Sequence, residues 1–225
     1  MSNIIIDSFR FGASSPVAPS LGYGLLYNWY AATDARGVAP AGFRVGGESD
    51  YSTLYTQQGN NTFSLKGNRT DPPAIDPYWL ATLFAFNPNG FDLFGSGIRE
   101  SDGSYESLRV TASIVTTTIV SESESQVWIM TGGGTGAGFQ NEPKQLGGQI
   151  RCVSDTEPAT TLVQDADGNN YSWVLIGAQY WLVQSLKTTK YNNGDSIVTG
   201  LDNAAWAATT DGAWAYPNGD SSLPI

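Results

Sequence analysis

Histidine is missing from this chain of 225 residues, and cysteine occurs once, at Cys152. Without histidine there is no imidazole to serve as general base, as zinc ligand or as the middle member of a nucleophilic triad. One cysteine forms no intrachain disulfide, which suits a reducing compartment, and the expected state of Cys152 is a buried, inert thiol. Charge is also scarce. Only 14% of residues are charged, and 21 acidic against 11 basic side chains leave a net charge of -10. That field repels phosphates, and the lysines and arginines are scattered singly, so no nucleic-acid partner is expected. No apolar run approaches the ~20 residues needed to cross a bilayer, so no membrane insertion is expected. The opening MSNIIIDSFRFG has neither a basic leader nor a long apolar stretch, so it predicts no signal peptide.

What is present is 40% hydrophobic and 12% aromatic, with 26 glycines. This mixture buries a core while favouring short strands and many turns, and it predicts a β-rich, loop-rich α+β protein. Ile4, Ile5, Ile6, Phe9, Arg10 and Phe11 form a short β-prone run, followed by the linker-like GASSPVAPS. Residues 1–20 are therefore read as an attachment arm with its tether. Further on, an acidic start at Glu48 predicts a helix to about Gln58, and a second helix is an option over Pro77–Phe86. The β-branched VTASIVTTTIV and the later QVWIM predict a strand pair across SESES. The glycine-rich TGGGTGAGF lacks the lysine and helix of a phosphate loop, so it is read as a turn-rich loop. QIRCVSD is read as a strand. The tail LVQDADGNNYSWVLIGAQYWLV predicts successive hairpin strands turning at Asp167-Gly168 and Gly177-Ala178, with a short helix at Asn203–Ala208.

Several blocks together resemble the Fibrobacter succinogenes major paralogous domain family, whose fold is similar to that of C-type lectins. GLLYNWYAA at 24–32, PAGFRV at 40–45, GIRESDGSY at 97–105, VWIMT at 127–131 and GGQIRCV at 147–153 look like the family's later elements. DGNNYSWVLIGAQYW and the following SLKTTKYNNGDSI look like its opening, yet they stand at the far end of the chain. The resemblance therefore implies a lectin-like fold with short helices and long loops, circularly permuted or tail-swapped. Residues 21–225 would form one domain, with 21–155 as the main part and 156–225 as the tail that completes it. In the family's order the tail would run into YGLLYNWYAA, which implies that Asp220 and Gly22 lie close together. The short connection TEPATT favours docking on the same chain over exchange between subunits. Ala39 stands where relatives carry a cysteine, so a disulfide typical of them is lost. The start IIIDSFRFG also resembles the N-termini of structural proteins of phages that infect Bacteroidetes.

Candidate sites are few. Asp165 to Asn169 alternate oxygen-bearing side chains as cation loops do, but the glycine comes two residues early, and a hairpin turn is the preferred reading. YNNGD and YPNGD are read as turns, and Trp29, Trp128 and Trp181 as core. Glu122 and Glu124 alternate in a serine-rich run, which places them in a solvated connection rather than in a catalytic pair. Tyr78, Trp79, Phe84, Phe86 and Phe91, in the aromatic stretch from Asp71 to Phe94, are the candidate partner or glycan surface, with core packing as the alternative. No catalytic, cofactor-binding or metal-binding set emerges, so no enzyme and no cofactor are expected. The resulting expectation is a virion protein assembled in the host cytoplasm, a head fibre, capsid decoration or tail adhesin. Its arm would contact other virion proteins, and its lectin-like domain would face a host glycan or protein as a dimer or trimer. A bacterial surface adhesin or glycan-binding module is the alternative.

Overall fold

The computed structural model describes residues 22–67, Trp79 and 89–225. In chain order the elements are β1 (Leu26–Tyr27), α1 (Trp29–Thr33), β2 (Arg44–Val45), α2 (Glu48–Gln57), β3 (Ile98–Arg99), β4 (Tyr105–Glu106), β5 (Thr111–Ile119), β6 (Glu124–Thr131) and β7 (Ala137–Pro143). They continue with β8 (Cys152–Ser154), β9 (Leu162–Gln164), β10 (Asn170–Ile176), β11 (Gln179–Leu182), α3 (Asn203–Ala208), β12 (Trp214–Ala215) and a 3-10 turn at Pro217–Gly219. The protein is thus β-rich with short helices, and its sheets are antiparallel. The helix option at Pro77–Phe86 lies outside the described residues, apart from Trp79.

The largest sheet has five strands in the order β2-β8-β11-β10-β9, so three of them come from the tail. β11 sits between β8 and β10, hydrogen-bonded on both sides. Side chains alternate across it, as the two-residue period of a strand requires. Cys152, Tyr171 and Leu182 enter one core cluster with Leu25, Tyr27, Ile150, Leu186 and Trp214. Val153, Ile176 and Trp181 enter a second, with Tyr51, Leu54, Ile114, Trp128 and Met130. In the second cluster Tyr51 lies stacked on Trp128 with ring centres 5.1 Å apart and meets Trp181 at 5.2 Å, so α2 is clamped between the two larger sheets. That sheet, β5-β6-β7, contains the expected strand pair. Its third strand, β7, begins inside the stretch read as a loop, because Ala137 to Phe139 pair along β6.

Local chemistry explains the helix starts. The Asp202 carboxylate accepts from the Ala205 amide at 2.8 Å and opens α3, while Asp50 Oδ2 accepts from the Gly47 amide at 2.8 Å at the head of α2. Asn28 does the same for α1, accepting from the Ala31 amide at 3.0 Å. It is fully buried, and it also accepts from the Ala213 amide at 3.0 Å and donates to Asp211 O at 2.9 Å. One side chain therefore caps a helix of the main part and holds the tail.

Further bonds tie the same two parts. β1 pairs with β12, Tyr27 Oη donates to Thr188 O at 2.8 Å, and Arg99 Nη2 donates to Leu201 O at 2.7 Å. The Leu25 amide donates to Leu186 O at 2.9 Å and the Tyr23 amide to Pro224 O at 2.9 Å. Gly22 packs so tightly on Pro224 that an added Cβ would lie 2.7 Å from its carbonyl oxygen. The two ends of the described chain lie side by side.

Candidate binding cleft

Of the buried cations, Arg151 and Lys66 are the most enclosed by carbonyl oxygens. Arg151 donates through Nη1 to Phe91 O and Leu182 O at 2.8 Å each and to Val183 O, through Nη2 to Asp92 O at 2.8 Å, and through Nε to Ser185 Oγ at 3.1 Å. Burial pulls the guanidinium down to about 10, so it keeps its charge at neutral pH. Phe91 lies under it, with the guanidinium carbon 4.6 Å from the ring centre. Lys66 Nζ donates to Thr131 O at 2.7 Å, Gly132 O at 3.1 Å and Gly134 O at 2.5 Å, which gathers the glycine-rich turn after β6. These groups tie separate backbone segments together.

Burial lowers the Lys66 ammonium from 10.5 to about 8. The unfolded lysine therefore binds more protons than the folded one between those values, and stability rises with pH across that window. Titration of Cys152 and the buried tyrosines, all pushed up by burial, opposes this above pH 9. The expected result is that the stability gap between the wild type and Lys66→Met widens from pH 8 to 10.5, measured by urea unfolding at each pH. A constant gap would refute the assignment.

The residues singled out from the sequence fall as follows. Trp79 and Phe91, proposed for a partner surface, are buried, at 2% and 0% exposure. Trp79 Nε1 donates to Leu93 O at 3.0 Å, and Phe91 meets Trp181 edge-on at 5.7 Å. Both are corrected to core, because each ring fills space beside a buried cation. Tyr78, Phe84 and Phe86 lie outside the described residues, as do Ile4, Ile5, Ile6, Phe9, Arg10 and Phe11. Trp128 and Trp181 are core, whereas Trp29 is only partly buried, with Lys144 Nζ 4.2 Å above its ring. Asp165 makes a turn: Oδ1 accepts from the amides of Asp167 and Asn169, and Oδ2 from Asn169 Nδ2 and Tyr171 Oη. Cys152 is buried, and burial pushes its thiol up, so it is a poor nucleophile.

A place that sequence reasoning missed is an open cleft of about 430 Å³ between the end of α2 and the β10-β11 turn. Gln57, Gln58, Ser64, Asn89, Leu175, Ile176 and Gly177 line it. Gln58 Oε1 accepts from Ser64 Oγ at 2.7 Å and from Asn89 Nδ2 at 2.5 Å, which locks three polar side chains together. Leu175 is 54% exposed at the rim, directly opposite Tyr180 across the hairpin. Gly177 has φ +64°, and a Cβ there would lie 3.0 Å from Gln57, so backbone and space both select glycine. The lining comes from separate segments, each ordinary by itself, and no sequence signal joins them.

Residues 16–154 match the family model of the Fibrobacter succinogenes major domain, a span that ends at the last residue of β8. No curated protein matches the chain, and no solved structure does.

Proposed function

The chain belongs to the Fibrobacter succinogenes major domain family, and from that premise we propose that it is a non-enzymatic virion protein displaying a lectin-like binding domain. In this reading residues 1–20 attach to other particle proteins, as the phage-like IIIDSFRFG suggests, in a head fibre, capsid decoration or tail adhesin. The tail is the family's opening third, moved to the end of the chain. Two observations support the permutation: β11 completes the sheet at β8, where the matched span stops, and the Tyr23 amide bonds to Pro224 O.

The observation that carries the display role is polarity. The arm joins the domain at Gly22, which packs on Pro224 shortly before Leu25, whose amide bonds to Leu186 O beyond the C-terminal end of β11. The cleft opens at the turn that precedes that strand. In this reading attachment and binding would lie toward opposite ends of a central strand, which supports a displayed module. Subunits would associate as dimers or trimers.

Mass spectrometry and immunogold labelling of purified phage particles should find the protein on virions. Recovery from host membranes, and never from virions, would refute the virion role. Recovery there together with reproducible sugar selectivity would favour a bacterial surface adhesin.

A further inference from the structure

Resting on the reading of the domain as a binding module, we propose that the cleft at the β10-β11 turn takes a neutral saccharide. Charge narrows the ligand first. None of the described lining residues carries a charge, and the chain as a whole stands at -10. Among the described lining residues a sulfated, sialylated or phosphorylated ligand would find no cation to pair with against the chain's negative field, and a cationic ligand would find no carboxylate.

Polar geometry narrows it further. Gln57, Gln58 and Asn89 bring three primary amides to one small opening, and Ser64 adds a hydroxyl. Because Gln58 Oε1 holds both Ser64 and Asn89, the Gln58 Nε2 donor and the Asn89 Oδ1 acceptor are fixed before any ligand arrives. An amide offers a donor and an acceptor side by side. Neighbouring sugar hydroxyls, each both donor and acceptor, match that pair.

The rim supplies the other half of a sugar's chemistry, its apolar C–H face. Leu175 is exposed beside the amides, and Ile176 and Gly177 continue the uncharged edge of the opening. The volume, about 430 Å³, lies within the roughly 300–1,000 Å³ of small-molecule sites.

The test is an array of neutral, sialylated and sulfated oligosaccharides probed with the full-length protein, followed by calorimetric titration of the strongest neutral hit. Leu175→Ser and Gln58→Glu should each weaken that hit at least tenfold while the melting temperature stays within a degree or two. Val198→Ser, which removes an exposed apolar side chain outside the cleft, should leave it unchanged. Absence of any neutral hit, preference for the charged sugars, or affinity unmoved by both cleft variants would overturn the proposal. Particle localisation is measured separately, so failure here and failure of the virion assignment are distinguishable.

Discussion

A chain truncated after residue 159 is expected to have no cooperative unfolding transition, rather than a slightly lowered one. The cut removes β9, β10 and β11, leaving β8 with a bare edge in the middle of the former sheet. It also takes Ile176, Trp181, Leu182, Leu186 and Trp214 out of both core clusters. At about 1.5–3 kcal/mol for each such side chain, the loss is roughly 7–15 kcal/mol. That equals the whole stability of an ordinary domain, about 5–15 kcal/mol. Near-ultraviolet circular dichroism and thermal melts of residues 1–159 provide the check, and the separate peptide 160–225 should restore the signal when mixed in. A native-like melt of residues 1–159 alone would show that the main part is self-sufficient.

Arg151→Met should cost at least about 3 kcal/mol, because four buried carbonyls lose their donor at about 1–3 kcal/mol each, less than additively. For a chain of this size, at roughly 2–4 °C per kcal/mol, the melting temperature should fall by about 6–12 °C or more. Arg151→Lys should recover only part of the loss, since an ammonium cannot reproduce the five-donor planar fork that reaches Phe91, Asp92, Leu182, Val183 and Ser185 together. Differential scanning calorimetry of the three proteins decides it. Equal melting temperatures would mean that water replaces the guanidinium.

Local signals in the sequence were reliable where the cause was local. The short helix at Asn203–Ala208, the Gly168 and Gly177 turns and the β-branched run of β5 were each legible, and each element is there. β7 was illegible because AGFQNEP is a polar strand paired on β6, where burial leaves no alternating apolar pattern. The buried cations were illegible for a different reason. Lys66 and Arg151 look like surface residues until distant carbonyls converge on them, and that convergence is a property of the tertiary fold. For Trp79 and Phe91 the choice between partner surface and core packing stayed open for the same reason, since both turn inward to cover those cations. The cleft belongs with them, as its polar side chains come from the end of α2, from Ser64 and from Asn89, separated in the chain.

The position of β11 also has a mechanical meaning. A pull applied at Gly22 and resisted at the β10-β11 turn enters the fold through the Leu25–Leu186 bond and runs along β11 toward its first residue. Because β8 and β10 flank that strand on both sides, the load falls on their hydrogen bonds in shear, so several must break together instead of opening one at a time. A domain tethered at one end and gripped at the other would therefore carry tension along a strand braced on both sides.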